Sequence, residues 1–252
     1  MAACGNVCGV NDAVRDFGAA VNEVMTELDW TLLGRAYCEG DGSGFFDDAL
    51  RERIVDTGLM LADDLGDALG DGRGRSLYLG AEIAELPLIL AEHLVMGRRV
   101  EWLNIEGPQT RELVRALDVV SARLELDLPK PDTRTLAEIE PASCDHLWMV
   151  SVLTDPDHFP ALHDVLYVRT KGPLATGRGR LEDDRARADA LVEALLDCAA
   201  SPCVLTTSDE ERTIVEPLAA RRGFSLEFAR GGRLSSIVGD RVRIGKLLRA
   251  VR

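Results

Sequence analysis

The chain has 252 residues and a mass of 27.4 kDa, which is enough for one large domain or for a domain with a helical appendage. Its formal net charge of −14 argues against nucleic-acid binding by the chain as a whole, because such binding depends on neutralising phosphates with Lys and Arg. We find neither the ~18 consecutive apolar residues of a membrane span nor a basic region followed by an apolar run at the N-terminus. We therefore expect a cytoplasmic protein without a membrane partner.

The first third of the sequence has a helical pattern. Apolar residues recur at helical spacing from Val14 to Leu28 and again from Leu50 to Leu65. Glycine-rich stretches at 39–44 and 66–74 interrupt the pattern and are typical of loops. We therefore predict an N-terminal helical cap over residues 1–74 and a separate domain over residues 75–252.

From Arg75 onward, short apolar runs alternate with longer helical segments. The alternation predicts an α/β fold with a doubly wound, seven-stranded, mostly parallel sheet and a C-terminal antiparallel hairpin at one edge. The predicted helices cover residues 82–96, 108–119, 160–169, 181–199 and 209–222. The predicted strands cover residues 76–79, 99–105, 122–126, 145–153, 202–207, 225–229 and much of 234–248.

The first predicted strand ends in a modified glycine motif. In doubly wound sheets, ligands bind beyond the carboxyl ends of the strands. Here the order of elements over about residues 75–248 resembles the class I S-adenosylmethionine (SAM)-dependent methyltransferase family. That family follows its first strand with an acid, an apolar residue and Gly-x-Gly-x-Gly. Gly80 matches the first glycine, Tyr78 stands at the acidic position, and Glu82 and Ala84 replace the other two glycines.

The resemblance implies a SAM site at the ends of these strands. The family's ribose-binding acid corresponds to Asn104, with Glu106 two residues further on, and Asp132 lies in a segment that resembles the adenine loop. Ordinary structural roles stay open, since Glu82 also suits the first turn of a helix and Asp132 also suits a turn. The implied cofactor-binding residues are Tyr78, Gly80, Ala81, Glu82, Asn104, Glu106, Asp132 and Ser151.

The segment after the predicted strand 145–153 is rich in groups that can transfer protons. His158 and His163 are candidate general bases because histidine titrates near neutrality, and Asp155 or Asp157 could orient such a base. Tyr167 lies one helical turn beyond His163 and joins the candidate catalytic group. Two alternatives stay open: a metal site formed by Asp155, His158 and His163, and a proline-rich turn that only starts a helix.

Charge and cysteine are unevenly distributed along the chain. Residues 1–70 carry a net charge of about −10 and residues 221–252 about +7. Solvated surfaces explain this most simply, and a basic tail that receives an anionic substrate is the alternative. We expect reduced thiols at Cys4, Cys8, Cys38, Cys144, Cys198 and Cys203. Only the first two are close in sequence, in a poor zinc pattern, and we predict no metal.

The resemblance implies a transferase that moves the methyl group of SAM to a small-molecule acceptor. The protein would position the reactants and supply a base, while the N-terminal helices would exclude water. Transfer of another group, such as aminopropyl, stays open, as does a homodimer. The alternative is a non-catalytic methyltransferase-like protein that binds a partner or a metabolite, which the loss of two glycines and two acids from the motifs favours.

Overall fold

The computed structural model describes residues 6–38, 40–70, 72–169 and 175–249, and the side chains of these residues except 6–10. The helices are α1 (Asn6–Glu27), α2 (Trp30–Gly34), α3 (Asp48–Leu69), α4 (Leu86–Leu94), α5 (Pro108–Leu124), α6 (Pro160–Leu166), α7 (Leu181–Asp197), α8 (Asp209–Arg221) and a 3-10 turn (Leu136–Glu138). The strands are β1 (Arg75–Leu79), β2 (Arg99–Leu103), β3 (Cys144–Met149), β4 (Ala199–Ser208), β5 (Phe224–Phe228), β6 (Arg233–Leu234) and β7 (Arg241–Arg249).

Seven strands in the described ranges form one sheet in the order β2-β1-β3-β4-β7-β5, and β6 pairs with β7. The predicted α/β fold class, with a C-terminal antiparallel hairpin and a helical segment before the sheet, is confirmed. The chain divides into two compact units. The N-terminal unit combines residues up to Arg75 with Ala81–Thr133, and the C-terminal unit combines Ser76–Gly80 with the residues from Arg134 onward. A separate cap over residues 1–74 stays a prediction.

Helix α3 of the N-terminal unit has clear signals at both ends. The Asp47 carboxylate caps its start by accepting a hydrogen bond from the Leu50 amide at 2.8 Å. Gly70 ends it in a left-handed conformation, with φ of 66°. In mid-helix, a Cβ on Gly58 would lie 2.8 Å from Pro87 Cβ, so glycine permits the close packing of α3 against α4.

Helix α5 is longer than predicted, and the strand predicted over residues 122–126 is wrong. The apolar residues Leu113, Leu117 and Val120 follow the helical period, which Leu124 continues, so the alternation at 122–126 does not produce a strand. Arg123 is held in the helix by ion pairs with Glu23 and Glu27 of α1. The chain leaves the helix at position 125, where φ is 55°.

The C-terminal unit contains the buried strands. β1 pairs with β3 and β3 with β4, both in parallel, with Leu77 opposite Leu147 and Leu147 opposite Leu205. Such strands are buried on both faces, which explains their nearly continuous apolar sequences. β7 runs antiparallel to both β4 and β5, which leaves β5 as the outermost strand of this unit. None of the helices in the described ranges is both long and apolar enough to cross a membrane.

Candidate functional site

Gly80 ends β1 under two separate constraints. Its φ of 67° is a left-handed value that residues with side chains adopt only with strain. A Cβ at this position would also lie 2.8 Å from Cγ2 of Val152, in the loop after β3. The glycine of the motif is therefore required by the protein's own packing.

Tyr78 lies in the core of the C-terminal unit. Its side chain is fully buried and stacks on Trp148 with ring centroids 5.5 Å apart. The edge of His146 meets the same ring, also at 5.5 Å. The residue at the acidic position of the motif thus belongs to the packing between β1 and β3.

The loop after Gly80 is fastened to β2 within the N-terminal unit. The Ala81 carbonyl oxygen accepts hydrogen bonds from Trp102 Nε1 at 2.8 Å and from Asn104 Nδ2 at 3.0 Å. Asn104 Oδ1 in turn accepts a hydrogen bond from the Ile105 amide at 2.8 Å. The side chain at the position of the ribose-binding acid is therefore engaged at both its nitrogen and its oxygen.

Two glutamates lie in this loop. Tyr37, from the segment after α2, donates a hydrogen bond to Glu82 Oε2 at 2.9 Å. The Glu82 amide donates to Glu85 Oε2 at 3.0 Å. Burial raises the pKa of Glu85 to about 7, and the neighbouring Glu82 carboxylate adds to the shift. Tyr37 is itself held by Phe45, which stacks on it at 5.3 Å.

Asp132 and Glu106 lie in different surroundings. The Asp132 amide donates to the Trp102 carbonyl oxygen at 2.8 Å, and the Asn104 amide donates to the Asp132 carbonyl oxygen at 2.9 Å. The structure thus places Asp132 beside Asn104 at the end of β2. Glu106 instead is exposed and pairs with Arg111 at 3.3 Å.

In the C-terminal unit, Ser151 begins the loop after β3 in a left-handed conformation, with φ of 61°. Non-glycine residues seldom adopt this conformation, and many that do lie in functional sites. Its amide donates to Glu211 Oε2 at 3.2 Å, and its hydroxyl donates to Asp240 Oδ2 at 2.8 Å. Two residues distant in sequence therefore fix the loop conformation.

Glu211 is the buried anchor of this loop. It forms a capping box with Ser208 at the start of α8 and also accepts the Leu153 amide at 2.8 Å. Burial raises the pKa of Glu211, while its hydrogen bonds from Leu153, Ser208 and Thr207 oppose the shift. One carboxyl group thus joins the loop after β3 to the first turn of α8.

Both ring nitrogens of His163 contact other groups of the protein. Its Nδ1 lies 2.6 Å from the Thr154 carbonyl oxygen, and its Nε2 lies 3.5 Å from Arg169 Nη1. A carbonyl only accepts, so Nδ1 is the donor in the contact with Thr154. Both nitrogens are engaged, and the ring also packs against Tyr167 at 4.9 Å.

His158 differs from His163 in exposure. Its Nδ1 lies 2.9 Å from Asp155 Oδ2, and its side chain is 48% exposed. Asp155 is fixed in turn, because its other oxygen accepts the Asp157 amide at 2.7 Å. A carboxylate that orients an exposed imidazole is an arrangement suited to acid–base chemistry. The structure therefore brings Asp155 and His158 together, while His163 faces other partners.

Tyr167 and Asp240 join the end of α6 to the turn before β7. The Tyr167 hydroxyl lies 2.7 Å from both carboxylate oxygens of Asp240. Burial raises the pKa of Tyr167 most; the Thr154 side chain beside the hydroxyl lowers it, whereas Asp240 and Glu210 raise it further. Ser151, Tyr167 and Asp240 thus form one hydrogen-bonded group.

In the part of the chain that the structure describes, no group of three or more His, Cys, Asp and Glu side chains could hold a metal ion. Within these residues, Cys38, Cys144, Cys198 and Cys203 form no disulfide. Cys4 lies outside the described residues, and the side chain of Cys8 is also outside them.

The residues that sequence reasoning missed are Tyr37, Glu85, Thr154, Glu210, Glu211 and Asp240. One of them had a readable signal: Ser208 and Glu211 have the spacing of a capping box directly after a buried strand. Asp240 gave none, because Gly-Asp is also an ordinary turn sequence. The contact between Ser151 and Asp240 joins positions 89 residues apart, a separation that local patterns do not report.

No family model matches the chain, and neither does any curated protein. Solved structures do match. Magnesium protoporphyrin IX methyltransferase from Synechocystis PCC 6803 with bound SAM is 16% identical at a TM-score of 0.51, over 85% of this chain and 89% of that chain. The same enzyme with bound S-adenosylhomocysteine (SAH) is 15% identical at a TM-score of 0.51, over 85% and 92%. The chain has the fold of class I SAM-dependent methyltransferases, as the resemblance predicted.

Proposed function

We propose that this protein is a SAM-dependent methyltransferase that acts on a small molecule. The observation that carries the proposal is the arrangement at the end of β2, where Asn104 lies between the Ala81 carbonyl and the backbone of Asp132. In this fold the carboxyl ends of the strands are where ligands bind. Two of the positions that the resemblance assigns to SAM, Asn104 and Asp132, therefore support a cofactor site at this strand end.

The acidic loop after β1 fits the cationic part of SAM. The Glu82 side chain lies beside Glu85, whose pKa of about 7 leaves it partly ionised at neutral pH, and the Glu82 amide already donates to Glu85. The loop therefore suits the ammonium or sulfonium group better than the carboxylate of the cofactor. Asn104 Oδ1 keeps a second lone pair for a ribose hydroxyl. When bound, SAM would supply a methyl group on a positively charged sulfur. A nucleophile on the acceptor would bond to the methyl carbon as the carbon–sulfur bond breaks, and SAH would be released.

The Asp155–His158 pair is the proposed acid–base group. His158 Nδ1 is oriented by Asp155 at 2.9 Å, and the exposed ring leaves Nε2 for a substrate proton. His163 is assigned a positioning role, since it holds the Thr154 carbonyl through Nδ1. The same proposal gives the N-terminal helices the role of a cap, supported by the contact between Tyr37 and the loop residue Glu82.

A small, neutral or cationic acceptor suits the net charge of −14 better than a nucleic acid does. A reducing compartment, which we take to be the cytoplasm, suits the four cysteines among the described residues that form no disulfide. Both statements belong to the proposal.

Calorimetric titration with SAM and with SAH tests the proposal. Both ligands carry an ammonium group, but only SAM carries the sulfonium charge. If Glu82 faces the sulfonium, Glu82→Gln weakens SAM binding by about tenfold and leaves SAH binding unchanged. If Glu82 faces the ammonium, both affinities fall together. The exposed Glu52→Gln variant on α3 removes the same charge away from the loop and serves as the control.

Binding of neither ligand to the wild-type protein would overturn the proposal. That result would favour the non-catalytic alternative. The Glu82 amide and the Asn104 side chain already form hydrogen bonds within the protein, which is consistent with that alternative. If Glu82→Gln binds SAM and SAH with the same affinities as the wild-type protein, SAM remains the proposed cofactor but Glu82 does not contact it.

A further inference from the structure

An ion pair on α7 holds the chain segment that carries His158. Arg187 Nη2 donates to the His158 carbonyl oxygen at 2.6 Å and to Asp184 Oδ1 at 2.6 Å. One guanidinium nitrogen of this kind has two N–H groups, so it can make both contacts at once. The backbone of the candidate base is therefore attached to a residue 29 positions further along the chain.

Asp184 fixes the other end of the same segment. Its second oxygen, Oδ2, accepts hydrogen bonds from the Ala161 amide at 2.8 Å and from the Leu162 amide at 3.2 Å, in the first turn of α6. Amides in the first turn have no carbonyl partner within their own helix, so a carboxylate at this place stabilises the helix start. The Asp184 side chain is 2% exposed, and these contacts supply the partners that a buried charge requires.

Between these two attachments, the Arg187 guanidinium packs on an aromatic ring. Its Cζ lies 5.2 Å from the ring centroid of Phe159, a buried residue. The Phe159 amide in turn donates to the Asp155 carbonyl oxygen at 2.8 Å. Arg187 thus contacts the turn in which the Asp155 carboxylate and the His158 ring meet.

The contact between Asp155 and His158 depends on that turn. The two side chains are 37% and 48% exposed, so packing alone does not fix their positions. An ionised carboxylate only accepts, so the contact at 2.9 Å places a proton on His158 Nδ1 and, in the neutral ring, leaves Nε2 as the basic nitrogen. A neutral histidine side chain without such a partner prefers the opposite tautomer in water. The tautomer of His158 therefore reports whether the turn is held.

We infer that Asp184 and Arg187 are positioning residues that keep His158 in its Nδ1–H tautomer, with Nε2 turned into the proton acceptor. The inference deepens the proposed function and rests on it for the role of His158 as a base. The two residues act through the backbone of segment 158–162, whereas Asp155 acts on the ring itself. The tautomer is a property of the protein without SAM, so it can be measured before an acceptor is known.

Long-range ¹H–¹⁵N NMR spectra of the full chain without ligand distinguish the two tautomers at about pH 9, where an ordinary histidine is neutral. His158→Gln identifies the His158 signals by their loss. We expect the Nδ1–H form in the wild type. Arg187→Met keeps the apolar part of the side chain but loses the donors, and it should lower the ratio of Nδ1–H to Nε2–H by about five- to tenfold.

Two further variants separate positioning from helix packing. Arg187→Lys, whose ammonium group can donate to the same two oxygens, should restore most of the ratio. Arg185→Met removes an arginine from an exposed pair with Asp189 on the same helix and should change the ratio by less than about twofold. The Arg187 side chain is 57% exposed, so Arg187→Met is expected to fold. Asp184→Asn, which keeps an oxygen for the α6 amides but loses the charge that holds Arg187, should lower the ratio in the same direction.

Four results would overturn the inference: a wild-type His158 with its proton mainly on Nε2, an unchanged ratio in Arg187→Met, a ratio in Arg187→Lys as low as in Arg187→Met, or an equal fall in Arg185→Met. SAM binding with an unchanged ratio in Arg187→Met would keep the proposed function and remove the positioning role. A lowered ratio without SAM binding to the wild type would do the reverse.

Discussion

Asn104 Nδ2 donates a hydrogen bond to the Ala81 carbonyl oxygen at 3.0 Å, and this bond helps hold the loop after β1 against β2. An ionised Asp or Glu at the same position could not donate it. The residue that replaces the family's ribose-binding acid therefore has a structural reason to be an amide. The loop is fastened by the side chain that, in the resemblance, would bind the cofactor.

We expect Asn104→Asp to lower the free energy of unfolding by about 1–3 kcal/mol at pH 7, because a carboxylate would then face a carbonyl oxygen. The loss relative to wild type should shrink at a pH low enough to protonate the new carboxyl, which can then donate. Urea unfolding at both pH values measures this. Glu106→Gln, an exposed neighbour, is the control, and an equal loss at both pH values would contradict the explanation.

Glu85 predicts a pH dependence of stability. Its pKa is about 7 in the folded protein against an ordinary value of 4.5, so the folded state holds this proton more strongly than the unfolded chain does. The contribution of Glu85 to stability is therefore complete at pH values below 4.5 and is lost as the pH rises to about 7. The total is about 3–4 kcal/mol, since one pKa unit corresponds to ~1.4 kcal/mol.

Glu85→Gln should remove that dependence, since a neutral amide oxygen can still accept the Glu82 amide hydrogen. The variant should be more stable than wild type at pH 8 and close to it at pH 5. Urea denaturation across this range gives the difference. If the difference between the two proteins does not change with pH, Glu85 is not the titrating group.

A side chain at position 80 should destabilise the protein in two ways, through a steric clash and through backbone strain, and the two effects can be measured separately. Gly80→Ala should lower the unfolding free energy by about 2–4 kcal/mol, from its positive φ and from the clash with Val152. Gly223→Ala, with a φ of 77° and open space around it, should show only the conformational part, about 1 kcal/mol. Adding Val152→Ala should reduce the clash in Gly80→Ala. An identical loss in the two single variants would mean that Val152 moves aside freely.

The two histidines should separate in a paired experiment. His163→Ala loses a buried hydrogen bond and ring packing, so we expect a drop of about 2–4 kcal/mol in unfolding free energy. His158→Ala should cost less than about 1 kcal/mol, because its ring is exposed. Once an acceptor is found, His158→Ala should lower kcat by about 10²–10⁴ without changing the Kd for SAM. A normal kcat would remove His158 from the mechanism.

The strands could be predicted where apolar runs were short and bounded, as at Leu77–Leu79. They could not where two periods overlapped. Leu124 fits both an alternating strand with Leu126 and a helix with Val120, and the contacts of Arg123 with Glu23 and Glu27 favour the helix. Only the fold contains those contacts, since they join positions about a hundred residues apart.

The candidate site divides in the same way. The Asp155–His158 pair lies within one turn and could be predicted from its spacing. The partners of Ser151 could not, because Glu211 and Asp240 come from α8 and from the turn before β7. The local sequence around Glu211 predicts a helix start and that around Asp240 predicts a turn. Both predictions are correct, but neither indicates the contact with Ser151.

The position of β7 imposes an order on folding. β5 is synthesised before β7, yet in the described sheet β5 pairs with β7. A nascent chain that has reached Phe228 therefore cannot yet add β5 to the sheet, and the side of β4 that β7 later covers is still an open edge. The ribosome must release the sequence of β7 before that edge closes, which makes the last strand the step that protects the emerging chain from association with other copies.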